Sequence, residues 1–344
     1  MKSSKDAKTA LHTLLAQKAR EHYRPNSAVD NLTKLSGGAS RETWSFDIVD
    51  GDTVYPLILK RDPITYGQDG TVSVDAQDDT WMAVDRKTEG RLIDAAHKSG
   101  MPVPQIGFFL EPSPETSAGF VMERLDGEVL GRRVLRNKEL AEARGKLAFQ
   151  CGQAIGQFHN LSPAQFPTLD KTSIDNQLTY YEGQLDQAGH PYPGFEYGMR
   201  WLKERAELAG TDVSIVHGDF RLGNLVIGPD GLRGVLDFEL AHLGNPVSDL
   251  GWLCVKSWRY GETEKQVGGF GTLAQLLEGY KASTGKTVAP EAVAYWEVFG
   301  TLRWGMMCVD LAFNHLSGNH PSLEKAVIGR RSAETEYDLL SLIN

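Results

Sequence analysis

The sequence predicts an α+β protein with a small β-rich N-lobe and a larger, mainly helical C-lobe. Two observations support this prediction. Short alternating apolar segments separated by glycine and aspartate turns dominate up to about residue 123, which is typical of antiparallel strands. Beyond residue 127, apolar residues recur mostly at helical spacing over long segments. We therefore predict a β-rich lobe over residues 1–123, a connector at 124–127 and a helical lobe over 128–344, which is reasonable for a chain of 344 residues.

In the first lobe the spacing predicts an amphipathic helix before Pro25, with a mitochondrial transit segment as the alternative. Three strands in an antiparallel meander follow: Leu32–Ser36, Thr43–Val49 and Val54–Arg61. We expect residues 63–79 to form an insertion loop or mobile flap. A helix and two further strands complete this lobe: Thr80–Ser99, Gln105–Leu110 and Gly119–Glu123.

In the second lobe helical periodicity is interrupted by one strand-rich segment, Ser214–Leu236. This segment contains a hairpin turn at 229–231, where Pro, Asp and Gly follow one another. The predicted helices are Lys138–Asn160, Ser173–Leu208, Leu273–Ser283, Pro290–Asn314 and Leu323–Leu340.

Composition and charge exclude several classes of protein. A formal net charge of −9 argues against a general nucleic-acid binder. No apolar run approaches the roughly 18 residues of a membrane span, so we expect no membrane partner. The cysteines Cys151, Cys254 and Cys308 are far apart and lack metal-ligand spacing. They indicate the reduced thiols of a cytoplasmic protein.

The most informative segment is His217-Gly-Asp-Phe-Arg-Leu-Gly-Asn224, which is followed by Asp237. Asp219 and Asn224 lie five residues apart on one loop, and Asp237 ends the next hairpin. Carboxylate and amide oxygens that converge in this way suit Mg²⁺. The remaining carboxylate, that of Asp219, can then accept a hydrogen bond from a substrate hydroxyl.

This spacing resembles the catalytic loop of kinases, with Asp237 at the position of the metal-binding aspartate. The pattern HGDxxxxN is similar to that of the aminoglycoside phosphotransferase-like small-molecule kinases. The continuation from Asp237 through Asp249 to Trp252 resembles the branch that includes the kinase-like domain attached to some acyl-CoA dehydrogenases. The resemblance covers about residues 32–314 and implies a bilobal protein-kinase-like fold.

The resemblance also implies a lysine on the third strand, and Lys60 supplies it. A buried lysine needs a partner. Glu89 on the following helix is the natural one, with Glu42 and Asp85 as weaker competitors. The pair would hold Lys60 against the α- and β-phosphates of the nucleotide.

Two further segments are expected to bind nucleotide. Small residues between the first two strands would let backbone N–H groups approach phosphate, and we select Gly37, Gly38 and Ser40. The connector would contact adenine through backbone groups, and we assign Glu123 and Leu125 there.

Arg221 follows Asp219 by two residues, where protein kinases place a phosphate-contacting lysine. It either stabilises charge on the transferring phosphoryl group or forms an ion pair with a nearby carboxylate, and the sequence leaves both open. We expect His217 and Asp249 to support the loop. Glu239 is either a ligand for a second cation or a solvated side chain.

Two patterns are not interpreted as sites. The segment 279–287 resembles a phosphate-binding loop, but it has five residues between its glycines instead of four and follows a helix. Several aromatic and histidine side chains are interpreted as core instead of a substrate pocket, with residues 258–260 as the most plausible exceptions. They are Trp252, Trp258, Tyr260, Trp296, Trp304 and His315.

Taken together, the sequence predicts an enzyme, a Mg²⁺-dependent kinase that transfers the γ-phosphoryl group of ATP or GTP to a small-molecule hydroxyl. Asp219 and Arg221 are the candidate catalytic residues, and Asn224 and Asp237 are the candidate metal ligands. The acceptor is a hydroxyacyl-CoA-like metabolite or an aminoglycoside, and the oligomeric state is left open. The alternatives are a non-catalytic nucleotide- or metabolite-binding protein with this fold and a protein kinase, which the missing HRD, DFG and APE patterns disfavour.

Overall fold

The computed structural model describes residues 4–35, 42–66, 72–74, 83–112, 116–318 and 321–344. The chain divides into two compact units. One unit holds residues 1–126 together with 238–240, and the other holds residues 127–237 and 241–344. The division after residue 126 falls inside the segment 124–127.

The first unit is built on a five-stranded antiparallel sheet in the order β1-β2-β3-β7-β6. Its elements are α1 (Ser4–His22), β1 (Ala28–Lys34), β2 (Glu42–Asp50), β3 (Thr53–Arg61), β4 (Ile64–Tyr66), β5 (Val72–Val74), α2 (Arg86–Lys98), β6 (Ile106–Leu110) and β7 (Gly119–Glu123). The apolar face of α1 packs on this sheet through Leu11, Leu15 and Ala19. The predicted first helix and meander are therefore confirmed.

Two segments of this unit differ from the prediction. The segment 63–79, predicted as an insertion loop or mobile flap, contains an antiparallel ladder in which β4 pairs with β5. The second helix begins at Arg86 instead of Thr80, which lies outside the described residues. It begins there because the Asp85 carboxylate caps the backbone N–H of Thr88, and the N–H of Val84 already donates to Glu239 O.

The second unit is mainly helical. Its elements are α3 (Gly131–Arg136), α4 (Ala141–His159), α5 (Ile174–Ala188), α6 (Pro193–Lys203), β8 (Ser214–Val216), β9 (Leu225–Gly228), β10 (Gly231–Val235), β11 (His242–Gly244), α7 (Val247–Cys254), α8 (Leu273–Thr284), α9 (Pro290–Leu316), α10 (Leu323–Gly329) and α11 (Ser332–Ile343). The long helix α9 packs against α5, α6, α7, α10 and α11, and its buried side chains form much of the core. Within the described ranges, no helix has the length and apolarity needed to cross a bilayer.

The sequence missed several helix boundaries in this unit. The single helix predicted over 173–208 is two helices, because Gly189 adopts a left-handed φ of 65° and Pro193 starts α6. The helix predicted over 323–340 is likewise split, with α10 ending before Arg330. Helices α3 and α7 were not predicted, and α7 brings two side chains to the catalytic loop.

Candidate active site

Lys60 is the central polar residue of the first unit. It lies on β3, where Leu57 and Leu59 are buried, and its own side chain is only 13% exposed. Its Nζ donates to Glu89 Oε1 at 2.9 Å. The Glu89 side chain is fully buried, so the pair is held in a low-dielectric setting where each charge depends on the other.

A second cation shares the Glu89 carboxylate. Arg86, one helical turn earlier on α2 and 2% exposed, donates to Glu89 Oε2, and its Nε lies 3.1 Å from Asp62 Oδ1. Two cations and two carboxylates thus form a neutral chain. Arg86 is not among the residues predicted for this cluster, although its i, i+3 spacing to Glu89 indicates that the two side chains lie on one face of the helix.

The competing partners of Lys60 are used elsewhere. Glu42 binds Lys34 and Arg61, at 2.6 and 2.8 Å respectively. Asp85 caps α2 through Thr88. The structure therefore brings Lys60 together with Glu89.

The connector is anchored by backbone hydrogen bonds. The N–H of Glu123 donates to Gln105 O and that of Arg124 donates to Pro56 O, both at 2.9 Å. Among the residues that the structure describes, no group accepts from the N–H of Leu125. The predicted phosphate-loop residues at 37, 38 and 40 lie outside the described residues.

In the second unit, Asp249 of α7 holds the backbone of the catalytic loop. Its carboxylate, 1% exposed, accepts from the N–H groups of His217 and Gly218 at 2.7 and 2.9 Å. It also contacts His159 Nε2 at 3.0 Å. Burial opposes its ionisation, but these donors prevail and hold the pKa of Asp249 below its ordinary value. Asp249 is placed to brace the loop.

Both ring nitrogens of His217 form hydrogen bonds with backbone groups. Its Nδ1 accepts from the N–H of Asp219 at 3.1 Å, and its Nε2 donates to Leu236 O at 3.1 Å. Burial lowers the pKa of His217, so the ring is neutral and acts as a brace between two segments of the loop.

The Asp219 carboxylate receives three side-chain donors. Arg221 Nε lies 2.9 Å from Oδ1 and 3.1 Å from Oδ2. Trp252 Nε1 donates to Oδ1 at 2.8 Å, and Asn224 Nδ2 donates to Oδ2 at 2.7 Å. Each oxygen thus accepts two of these contacts, which fixes the orientation of the carboxylate.

Of the two roles left open for Arg221, the structure shows an ion pair, and the partner is Asp219 itself. The guanidinium also stacks on Trp258 with a separation of 4.7 Å. Although burial opposes its charge, Asp219 raises the pKa of Arg221 above its ordinary value. The group is a permanent cation beside the candidate base.

The two candidate metal ligands offer suitable oxygens. The Asn224 side chain is 6% exposed, and because its amide nitrogen is engaged by Asp219, its oxygen is the end left for a cation. Asp237 has a left-handed φ of 69°, which is unusual for a residue other than glycine and common near active sites. One amide and one carboxylate fit Mg²⁺, which keeps several water or phosphate ligands.

Two tryptophans predicted as core residues are buried but also contact the candidate site. Trp252 is buried, as expected for the core, but its indole N–H binds Asp219, a contact that residue spacing alone did not reveal. Trp258 is likewise only 5% exposed, yet it stacks on Arg221. The segment 279–287 ends α8 at Gly285, and exposed Lys286 pairs with Asp212.

Comparison with known proteins agrees with the family resemblance of the catalytic-loop residues. The family model described as the phosphotransferase enzyme family matches residues 31–284. The chain is 22% identical over 252 residues to the probable acyl-CoA dehydrogenase IBR3 of Arabidopsis thaliana, covering 68% of this chain and 29% of that protein. It is 28% identical over 187 residues to human acyl-CoA dehydrogenase family member 11, covering 48% and 24%. The chain thus spans less than a third of these relatives.

Solved structures share the fold. A protein of Ralstonia eutropha assigned as an aminoglycoside phosphotransferase superposes with a TM-score of 0.70 at 20% identity, covering 97% of each chain. A thermostable mutant of another aminoglycoside phosphotransferase, in ternary complex with ADP and hygromycin B, superposes with a TM-score of 0.58 at 14% identity, covering 97% and 98%. These matches confirm the predicted kinase-like fold and the resemblance drawn from the catalytic-loop residues.

Proposed function

Because the chain belongs to the phosphotransferase enzyme family, we propose that it is a Mg²⁺-dependent small-molecule kinase. It moves the γ-phosphoryl group of ATP or GTP to an alcohol acceptor. The observation that supports this most directly is the Asp219 carboxylate, which three side chains hold in one orientation on the catalytic loop.

In the proposed step, Asp219 accepts the proton of the acceptor hydroxyl as the acceptor oxygen bonds to the γ-phosphorus. The bond from that phosphorus to the bridging oxygen breaks, and the nucleoside diphosphate leaves with the bond electrons. The loose transition state carries charge on the transferring phosphoryl oxygens. Arg221 is a permanent cation beside Asp219, and its proposed role is to stabilise that charge.

Lys60 is proposed to bind the α- and β-phosphates, with Glu89 holding its ammonium in place. The N–H of Leu125 and the backbone of Glu123 are proposed to bind the nucleotide base. Gly37, Gly38 and Ser40 remain proposed phosphate-contacting residues. Neighbours in complex with ADP or GDP support nucleotide use by this fold.

Asn224 and Asp237 are proposed to hold Mg²⁺ through their side-chain oxygens. The metal would neutralise phosphate charge and orient the phosphates. The chain's own contribution is to fix the Asn224 amide against Asp219, which directs the amide oxygen away from the base.

For the acceptor we propose a hydroxyacyl-CoA-like metabolite, since the curated relatives are acyl-CoA dehydrogenase family proteins. An aminoglycoside is the second candidate, supported by the neighbour that binds hygromycin B. The three cysteines are buried thiols, which supports the proposed cytoplasmic setting.

The test is nucleoside diphosphate release from ATP and from GTP across a panel of hydroxyl acceptors with Mg²⁺. The panel holds hydroxyacyl-CoA esters, aminoglycosides, amino alcohols, sugars and nucleosides. We expect acceptor-dependent release that falls roughly 10²–10⁴-fold in Asp219→Asn, because the base is lost.

Nucleotide binding is the control for this test, and it should survive the Asp219→Asn change. Near-normal turnover in that variant would remove Asp219 from the mechanism. Absence of both nucleotide binding and turnover in the wild-type protein would favour a non-catalytic role.

A further inference from the structure

We infer that Trp252 is a positioning residue for the catalytic carboxylate, and that its indole N–H holds the Asp219 side chain in the orientation in which it meets the substrate hydroxyl. This inference rests on the proposed function. It starts from the 2.8 Å hydrogen bond between Trp252 Nε1 and Asp219 Oδ1.

Trp252 donates to one oxygen of the Asp219 carboxylate. Oδ1 accepts from both Arg221 Nε and Trp252 Nε1, whereas the main donor to Oδ2 is Asn224 Nδ2, and its contact with Arg221 is the longer one. Because Arg221 Nε contacts both oxygens, Trp252 and Asn224 are the donors that each bind a single oxygen. Without the indole N–H, Oδ1 would keep only its contact with Arg221, and the carboxylate would be less firmly oriented.

The indole ring of Trp252 is buried and packs against Arg303. Trp252 is 3% exposed, and the Arg303 guanidinium lies 4.8 Å above its ring. The same guanidinium donates to Gly218 O at 2.9 Å. Arg303 thus connects the tryptophan ring to the backbone next to Asp219, so neither can shift alone.

Two residues of helix α7 form hydrogen bonds with the catalytic loop. Asp249 binds the backbone N–H groups of His217 and Gly218, and Trp252, three residues later, binds the side chain of Asp219. Residues at i and i+3 share one helix face. A single face of α7 therefore fixes both the path of the loop and the direction of the carboxylate.

The test is Trp252→Phe, which keeps an aromatic ring against Arg303 and removes the N–H. We expect kcat to fall roughly 10- to 100-fold, in line with the loss of one hydrogen bond to a charged group. The KM for nucleotide should stay unchanged.

The matched control is Trp304→Phe. It makes the same change in a tryptophan 4.9 Å from Trp258, and the Trp304 indole N–H has no hydrogen-bond partner among the described residues. This variant should keep the wild-type kcat and the wild-type KM for nucleotide. If Trp252→Phe also keeps the wild-type kcat, Trp252 only fills space and the inference is wrong.

A second measurement does not depend on the folding of Trp252→Phe or on turnover. The chain has seven tryptophans, so the indole N–H region of a ¹⁵N-tryptophan spectrum holds seven resonances. In Asp219→Asn we expect one of them to move strongly and the others to stay close to their wild-type positions. If no indole resonance moves, the hydrogen bond is absent, whatever the enzyme assay shows.

Discussion

Lys60 illustrates how a single buried charge is made tolerable and useful. Its ammonium is matched by Glu89, and Glu89 is matched in turn by Arg86. An uncompensated buried charge costs several kcal/mol, and with two cations beside it the Glu89 carboxylate keeps a partner even when one of them is lost. The Lys60 side chain is 13% exposed, whereas that of Glu89 is fully buried. The lysine is therefore the member of the pair that a phosphate can reach.

The change Lys60→Met should separate binding from stability. Glu89 keeps Arg86 as its partner, so we expect the variant to fold. Nucleotide affinity should fall roughly 10- to 100-fold, since a charge-assisted hydrogen bond contributes about 1.5–3 kcal/mol. Nucleotide titration by calorimetry measures this. Lys98→Met is the control, because Lys98 pairs with Asp94 at the surface. Equal affinity in the two variants would contradict the proposed role of Lys60.

The sequence predicted the candidate site unevenly, and the reason is physical. Asp219, Asn224 and Asp237 could be proposed because they share one short chain segment with fixed spacing. Trp252 and Arg303 could not, because they reach their partners at 33 and 85 residues' separation through helix packing. No local pattern records such a contact.

Helix α7 depends on close packing against α9. Gly251 lies where an added Cβ would come within 2.5 Å of the backbone and Cβ of Trp296. Backbone atoms cannot move aside as a flexible side chain can. The glycine thus allows α7 to bring Asp249 and Trp252 to the loop.

We therefore expect Gly251→Ala to lower the free energy of unfolding by about 1–3 kcal/mol through overpacking. It should also reduce kcat, because α7 is displaced. Gly145→Ala is the control, since that helical glycine has no atom within 4 Å of an added Cβ and should be neutral or stabilising by up to about 1 kcal/mol. Urea unfolding measures both, and equal values for the two variants would show that α7 tolerates a shift.

The elements themselves were predicted where the periodicity was clear. Alternation gave β2 and β3 to within about two residues, because these strands have one buried face. Helix α7 was missed because Pro246 and the residues before it suggest a loop. The break after α5 was missed because apolar residues continue at helical spacing on both sides of Gly189.

The charge state of His217 links catalytic-loop geometry to the stability of the whole protein. Its pKa is lowered by burial from an ordinary value of about 6.5. Below that pH the unfolded chain binds a proton at His217 that the folded chain does not bind. The contribution of His217 to the free energy of unfolding is therefore fully present above about pH 6.5 and is lost as the pH decreases. The lowered pKa of Asp249 adds a separate loss at more acidic pH, below its ordinary value of about 3.8.

We expect the free energy of unfolding to decrease between pH 6.5 and 5 with a contribution from His217 of at most about 1.4 kcal/mol per pH unit. Urea unfolding at several pH values measures the slope. His217→Gln should be less stable at neutral pH and show a shallower slope in this range. An unchanged slope would mean that His217 is charged in the folded protein.

The proposal that Asp219 activates an acceptor hydroxyl is tested most directly by ³¹P NMR of the acceptor after incubation with ATP and Mg²⁺. We predict a phosphate monoester resonance on the acceptor with the wild-type protein and its near absence with Asp219→Asn at equal nucleotide occupancy. A monoester formed at the same rate by both proteins would contradict the mechanism.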